Sequence, residues 1–217
     1  VEEDLERWNK LYYVGADAKE SGVLQGELAA AYLKAHPEAD RNQDGVIQYV
    51  VLEGEAGHQD AILRTEYAAS TLKERGIALE KLGYALANWN RSQAQTQVQQ
   101  LLQSYGTRIE LILANNDDMA LGALDAYRAS NIPLPPIFGI DGTEPGLSAV
   151  RDQSLTGTVK NNGIGQAEAM LSLALSLAAG EKSAYTLDRG KYIRIPYEAV
   201  SADKDSSITA RSTELSR

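Results

Sequence analysis

Short apolar runs rich in β-branched residues alternate with longer stretches of helical periodicity along this chain. The runs predicted as strands are LYYVG, VIQYVVLEG, IALEKLGYAL, IELILAN, PIFGID, LTGTVKN and YIRIPYEAV. The stretches predicted as helices are residues 22–36 and about 59–74, then SQAQTQVQQLLQSYG, MALGALDAYRAS, EPGLSAVRD and GQAEAMLSLALSLAAG. Strands and helices that alternate in this way predict an α/β fold, with a doubly wound, mostly parallel sheet covered by helices on both faces.

Composition narrows the classes of function. The 217 residues carry a formal net charge of −9 and no dense Lys/Arg cluster, which argues against a nucleic-acid partner. The most apolar stretch, MLSLALSLAAG, is too short to span a bilayer and is interrupted by serine. The chain contains no cysteine, which is compatible with an oxidising compartment and with the cytosol alike.

A second pattern, DRNQDGVIQ, resembles the first half of a calcium-binding loop. Oxygen-bearing side chains stand at alternate positions and a glycine follows the third of them: Asp40, Asn42, Asp44, Gly45 and then Gln48. The bidentate carboxylate expected at position 12 is missing, because Val51 occupies that position. The alternative interpretation is a turn rich in Asp and Asn that binds no metal.

Polar side chains and one indole follow the predicted strands. Because ligands bind at the carboxyl ends of strands in open parallel sheets, these residues are candidates for one site. They are His58, Asp60, Arg64, Trp89, Asn116, Asp117, Asp141, Asn161 and Asn162. Taken singly, each has an ordinary interpretation as a helix cap, a rim aromatic or a loop histidine. Together, planar carboxylates and amides, a guanidinium and an aromatic ring are the groups that bind a sugar.

The sequence resembles the periplasmic glucose/galactose-binding protein family, which are type I sugar-binding receptors of ABC transport and chemotaxis. The stretches that match are YYVGADAKESG, DRNQDGVIQYVVLEGEAGHQDAILRT, ANWNRSQAQ, IELILANNDDMALGA, PIFGIDG, LTGTVKNN and IRIPYEAV. They occur in the family's order along nearly the whole chain. The resemblance implies a periplasmic binding protein type I fold, in this chain one complete lobe plus part of the other.

The resemblance also implies two sets of site residues. The last calcium ligand would be Glu110, which begins the strand leading into the NND motif, so that the ion would be structural. The implied calcium ligands are Asp40, Asn42, Asp44, Gln48 and Glu110 through their side chains and Val46 through its backbone carbonyl. The implied sugar contacts are His58, Asp60, Arg64, Trp89, Asn116, Asp141 and Asn161. Asp117 is interpreted as a helix cap or as a partner of a contacting residue.

Compared with the family, the chain starts near the first crossover between the lobes. We therefore expect residues 1–10 to be a remnant leading into that crossover, residues 11–160 to form the second lobe, residues 161–193 to belong to the first lobe, and residues 194–217 to form the last crossover and a polar tail. Most of the first lobe, including its own sugar contacts, would be absent. A fragment or a rearranged parent gene would each explain this.

The leading functional hypothesis is a non-enzymatic receptor subunit that binds D-glucose or D-galactose. The resemblance implies a periplasmic or extracytoplasmic location, with a lipid anchor on a segment outside this chain as one possibility. Implied partners are an ABC transporter permease, a chemoreceptor, and either the missing first lobe or a second copy of the chain. The alternatives are a pentose or other hexose receptor of the same fold, and a metal-dependent hydrolase that uses His58, Asp60, Asp117 and Asp141, although no dense metal-ligand spacing supports the hydrolase.

Overall fold

The structure is a computed structural model that describes residues 2–201, with side chains from Asp4 onward. Within that range the chain forms two compact units. The larger unit comprises residues 18–161 and 198–201, and the smaller unit comprises residues 2–17 and 162–197.

The secondary structure follows the predicted alternation, apart from the first helix, Glu2–Asn9, which was not predicted. The strands are β1 (Tyr13–Gly15), β2 (Ile47–Glu53), β3 (Leu79–Leu86), β4 (Leu111–Ala114), β5 (Ile137–Asp141), β6 (Gly157–Lys160), β7 (Tyr192–Arg194) and β8 (Glu198–Ser201). The helices are α1 (Glu2–Asn9), α2 (Ala18–Ala35), α3 (Gln59–Glu74), α4 (Arg91–Tyr105), α5 (Asp117–Arg128), α6 (Glu144–Arg151) and α7 (Gly163–Ala179).

The larger unit contains a sheet of six strands in the order β3-β2-β4-β5-β6-β8. Its strands pair in parallel except for β8, which is antiparallel to β6. Helix α2 packs on α3, and α4 packs on α5. All four residues of β4 are buried, and successive strand side chains point to opposite faces, so helices cover both faces of the sheet. The predicted α/β fold with a mostly parallel sheet is confirmed.

The C-terminal stretch YIRIPYEAV differs from the prediction of one final strand. It divides into β7 and β8 on either side of Pro196, and the two strands join different sheets. Proline has no N–H to donate to a strand ladder, which explains why strand pairing stops there. Strand β7 pairs in parallel with β1 in a sheet of two strands. Residues 202–217, which are the predicted polar tail ADKDSSITARSTELSR, lie outside the described residues.

The units of the structure do not have the same bounds as the segments expected from the resemblance. Residues 11–17 belong to the smaller unit, although they were grouped with the predicted second lobe at residues 11–160. Strand β8 belongs to the larger unit, although it was grouped with the last crossover. The assignment of these segments to lobes stays a prediction.

The smaller unit has a small core and a partly exposed apolar helix. Its core is formed by Ala169, Leu173, Ile193 and Ile195. On α7, several large apolar side chains are exposed, namely Ile164, Met170, Leu171, Leu175 and Leu177. Among the helices of residues 2–201, none combines the length and the apolar character needed to cross a membrane.

Candidate sugar site and cation loop

Arg64 is the centre of the polar cluster predicted at the strand ends. It lies on α3, and only 5% of its surface is exposed. Its Nη1 donates to the backbone oxygen of Asn115 at 2.8 Å and lies 3.4 Å from Oδ1 of Asp141. Its Nη2 lies 3.6 Å from Oδ2 of Asp60, and its guanidinium carbon lies 5.8 Å from the centroid of the Trp89 ring. The structure therefore brings residues that follow β2, β3, β4 and β5 around one buried cation.

Trp89 supplies the aromatic surface of this cluster in an uncommon backbone conformation. Its φ is 60°, and that of the preceding Asn88 is 49°, a region that bulky residues rarely adopt. The imidazole of His58 approaches the indole edge-on, with ring centroids 5.2 Å apart. A Cβ atom at Gly54 would collide with the indole, so the close approach of this ring requires glycine there. Such strained positions concentrate at functional sites.

Two of the predicted residues also cap helices. The Nδ1 atom of His58 accepts a hydrogen bond from the backbone N–H of Asp60 at 3.1 Å, which caps α3. The Oδ1 atom of Asn116 accepts one from the N–H of Met119 at 3.0 Å, which caps α5. The Nδ2 atom of Asn116 also lies 3.5 Å from the backbone oxygen of Trp89. Capping therefore fixes the orientation of both side chains at the site.

Asp141 ends β5 with a φ of 114°, which is outside the usual regions for a residue with a side chain. Burial raises the pKa of its carboxyl to about 6, against the lowering influence of Arg64, and the nearby charge of Asp117 raises it further. The N–H of Asn161, which follows β6, donates to the backbone oxygen of Asp141 at 2.9 Å. The two strand ends are thereby joined next to Arg64.

We call the set His58, Asp60, Arg64, Trp89, Asn116, Asp141 and Asn161 the candidate sugar site. Sequence reasoning did not single out Asn115, which is buried next to the candidate sugar site and supports it through hydrogen bonds. Its Oδ1 accepts from the N–H of Gly54 at 3.1 Å, and its Nδ2 donates to Oγ1 of Thr65 at 3.1 Å. It thus ties the loop after β2 to the end of β4. The paired asparagines directly after a buried strand were the available signal, because a fully buried amide needs a complete set of hydrogen-bond partners.

The proposed calcium ligands form a second hydrogen-bonded network, the cation loop (residues 40–48 with Glu110). Glu110 is buried, and its Oε1 accepts from the N–H of Arg41 at 2.7 Å while its Oε2 accepts from that of Gln48 at 3.0 Å. Oδ2 of Asp44 accepts from the amide groups of Asn42 at 3.0 Å and Gln48 at 2.9 Å. Glu110 therefore binds the loop to the start of β4.

The donor set of the cation loop fits a hard cation, since its side chains offer carboxylate and amide oxygens. The buried Oδ1 of Asp40 has no hydrogen-bond partner, which is an unmet requirement that a cation would satisfy. The amides of Asn42 and Gln48 can present oxygen in place of nitrogen by a rotation that leaves their shape unchanged. Within residues 2–201, however, no three His, Cys, Asp or Glu side chains are gathered closely enough to hold a metal. Calcium binding stays a prediction.

The fold is of the α/β class with a mostly parallel sheet, and comparison with known proteins gives the family. Residues 1–182 match the family described as "Periplasmic binding protein domain", and the chain belongs to that family.

Two relatives of known name are similar to this chain over most of its length. The chain is 41% identical to the D-galactose/methyl-galactoside binding periplasmic protein MglB of Haemophilus influenzae, over 92% of this chain and 60% of that protein. It is 34% identical to the xylitol-binding protein of Mycolicibacterium smegmatis, over 73% of this chain and 45% of that protein. The chain thus spans about 60% or less of the length of these relatives.

A solved structure shows the same fold. An ABC transporter solute binding protein from Bacillus halodurans C-125 with bound myo-inositol superposes with a TM-score of 0.73 and 31% identity. The match covers 88% of this chain and 60% of that protein.

Proposed function

We propose that this chain is the sugar-binding part of a non-enzymatic receptor for ABC-type uptake. The observation that carries the proposal is the arrangement of Asp60, Asp141 and Trp89 around the buried guanidinium of Arg64. D-Galactose or D-glucose is the proposed ligand, because the relative with 41% identity is named for D-galactose and methyl-galactoside.

The chemistry of the site suits a pyranose. Carboxylates accept hydrogen bonds from neighbouring sugar hydroxyls, and a guanidinium donates in a fixed fork. The indole of Trp89 offers an apolar face to the C–H side of the ring. These groups bind and orient a sugar, and the residues of the candidate sugar site include no hydroxyl or thiol that could act as a nucleophile. Asp117, one member of the hydrolase alternative, has its carboxylate engaged by Thr143 and Thr158 instead.

A second candidate ligand is a pentose, a polyol or another hexose. The named ligands of the relatives support this alternative, since they include xylitol and, for a protein 33% identical over 63% of this chain, ribose. The carboxylates and the guanidinium would bind any vicinal diol, so the choice between these ligands depends on groups that contact the far side of the sugar.

The family relationship supports a periplasmic or extracytoplasmic location and an ABC transporter permease as partner, and a chemoreceptor is a further partner that we propose. We propose that the exposed apolar side chains of α7 are covered by an additional polypeptide segment that supplies the remaining length of the relatives. A lobe built in this way would contact the sugar from the opposite side. Sugar binding would then shift the receptor toward its closed state, because only that state forms both sets of contacts.

We further propose one structural calcium ion in the cation loop. Asp40, Asn42, Asp44, Gln48 and Glu110 would hold it with their side chains, together with the carbonyl of Val46. Bound calcium would offset two of the three negative charges of Asp40, Asp44 and Glu110 and would fix the loop to β4. The orphaned Oδ1 of Asp40 supports this assignment.

The test uses the two tryptophans of the chain, Trp89 at the candidate sugar site and Trp8 in the smaller unit. We expect D-galactose to shift the indole N–H resonance of Trp89 and to leave that of Trp8 in place. Binding should be weak, because a sugar covered on one side loses several hydrogen bonds worth about 1 kcal/mol each and one stacking face.

Matched variants decide the assignment. Arg64→Met should abolish the shift at Trp89, whereas Arg151→Met, at an exposed arginine, should leave it unchanged. If no sugar shifts Trp89, the proposed function is wrong. Micromolar binding by the monomeric chain would contradict the requirement for a second lobe.

A further inference from the structure

Asp117 is a fully buried carboxylate that does not face the candidate sugar site directly. Its Oδ1 accepts a hydrogen bond from Oγ1 of Thr158 at 2.6 Å. Its Oδ2 accepts two from Thr143, one from the N–H at 2.7 Å and one from Oγ1 at 3.1 Å. Burial raises the pKa of Asp117, and these three donors lower it. Burying a carboxylate is costly unless well-placed donors form hydrogen bonds with its oxygens.

The packing around Asp117 leaves room for this side chain and little else. A Cβ atom at Gly139 on β5 or at Gly146 on α6 would collide with the carboxylate. The two glycines therefore let the side chain lie between β5 and α6. A longer acid at this position would meet the same two backbones, so the length of aspartate is required.

Two of the three bonds of Asp117 fix the turn that joins β5 to α6, and the third joins Asp117 to β6. Thr143 caps α6, since its Oγ1 accepts from the N–H of Gly146 at 3.2 Å. Two residues earlier, Asp141 is paired with Lys160 in the sheet and has its unusual φ of 114°. The turn is thus held by the sheet on one side and by Asp117 on the other. The strained backbone of Asp141 lies between these two attachments, and it would relax without them.

We propose that Asp117 is a positioning residue of the candidate sugar site, because its buried carboxylate fixes the Asp141–Thr143 turn and so holds Asp141 against Arg64. The inference rests on the proposed function for its effect on sugar binding. Its effect on Asp141 can be measured without any sugar.

The pH at which Asp141 titrates can be measured without sugar, and it depends on the charged groups around this carboxyl. Arg64 and Asp60 face the cluster from α3, Asp117 and Asp118 lie at the start of α5, and Lys160 is its neighbour on β6. Of these, Arg64 lowers the pKa of Asp141, whereas Asp117 and then Asp118 raise it. Replacing Asp117 by a neutral residue should therefore move the titration of Asp141 to lower pH.

The decisive variant is Asp117→Asn, which keeps the shape and removes the charge and one strong acceptor. We expect the Kd for D-galactose, measured from the Trp89 resonance, to rise about tenfold, as expected for the loss of a charge-assisted hydrogen bond. The carboxyl group of Asp141, followed by the resonance of its carbon, should titrate at lower pH than in the parent protein. Thr143→Val, which removes one of the three bonds and no charge, should raise the Kd by a smaller factor.

Two controls separate positioning from general damage. Asp118→Asn removes the same charge from an exposed neighbour, and Thr158→Val perturbs the same core but leaves both Thr143 contacts intact. Both should keep the Kd within about twofold of the parent value, the change expected of substitutions outside a site. If Asp117→Asn and Thr158→Val lower the melting temperature alike and neither changes the Kd or the titration of Asp141, the inference is wrong. If the parent chain binds no sugar, the proposed function fails, and the titration of Asp141 in Thr143→Val, which removes no charge, still tests whether the bonds of Asp117 to the turn position Asp141.

Discussion

The two units of this protein differ in how well they bury their apolar side chains. In the larger unit, β2 and β4 lie inside a sheet of six strands, and Leu113 is 1% exposed. In the smaller unit, the sheet has two strands of three residues, and Leu171 on α7 is 62% exposed. A two-stranded sheet is marginal without further packing. The comparison predicts that the larger unit contributes most of the stability and that the smaller unit depends on additional packing.

The predicted site residues are also unequally distributed between the two units. All residues of the candidate sugar site and of the cation loop belong to the larger unit. The strained backbone at Trp89 and Asp141 is found there too, beside a well-packed core that can sustain it. Of the predicted strand-end residues, the smaller unit contains Asn162 alone, whose side chain caps α7.

The largest expected effect comes from truncating one leucine in each unit. Leu113→Ala should lower the free energy of unfolding by about 3 kcal/mol, because it leaves a cavity in a buried strand. Leu171→Ala should change it by less than about 0.5 kcal/mol, because its side chain is already in water. Urea denaturation of both variants measures the difference. Equal losses would show that α7 is covered in solution, for example by a second copy of the chain.

Calcium removal should have the next largest effect, and it should be confined to the larger unit. At a calcium concentration a hundredfold above Kd, chelation should lower the free energy of unfolding by about 2.7 kcal/mol, because the ion binds the folded state alone. Hydrogen exchange should accelerate in β2 and β4 and stay unchanged in β1 and β7.

Variants test whether the cation loop is the source of this effect. Asp44→Ala should remove the response to chelator, whereas Asp118→Ala, at an exposed acid outside the loop, should retain it. An unchanged melting curve in chelator, together with no calcium by elemental analysis, would contradict the assignment.

The smallest effect concerns Asp141, whose pKa is raised to about 6 from a usual 3.8. Between these values the folded state binds more protons than the unfolded state, so the free energy of unfolding falls as pH rises. Ionising the buried carboxyl of Asp141 costs free energy in the folded state, and the Asp141→Asn variant has no carboxyl to ionise. It should be more stable than the parent by about 1 kcal/mol above pH 6, a discounted value because water reaches about a third of the side chain.

The pH profile of this variant is the test. The advantage should disappear near pH 4, where the parent carboxyl is protonated, and the variant should bind sugar more weakly despite its higher stability. Parallel stability curves for the two proteins across this range would show that the environment of Asp141 does not penalise its charge.

Sequence reasoning was most successful where the signal is local. The continuous apolar runs that became β2 and β4 identified buried parallel strands, and two of the predicted strand-end residues, Asp60 and Asp141, lie beside Arg64. The division of YIRIPYEAV between two sheets was missed, because the run keeps its β-branched character across Pro196. Which strand each half pairs with depends on residues far away in the chain.

Of the two supporting residues of the site, Asp117 was interpreted from the sequence as a helix cap or as a partner of a contacting residue, whereas Asn115 was not singled out. Asn115 and Asp117 stand on either side of Asn116 in one polar run, and nothing local distinguishes a residue that faces a ligand from one that supports it. Burial separates them, since Asp117 is fully enclosed between two glycines that are distant in sequence. The strain at Trp89 and Asp141 is likewise imposed by tertiary packing.

The pairing of β1 with β7 has a consequence for the order of folding. It joins Tyr13 to Tyr192, and closing a loop of about 180 residues in an unfolded chain costs about 5 kcal/mol, more than three pairs of residues in a short sheet can offset. Within the larger unit, α2 packs against β8. Strand β1 ends shortly before α2, and β7 ends shortly before β8, so folding of the larger unit brings the two short strands together in advance. The two-stranded sheet should therefore form last and open first.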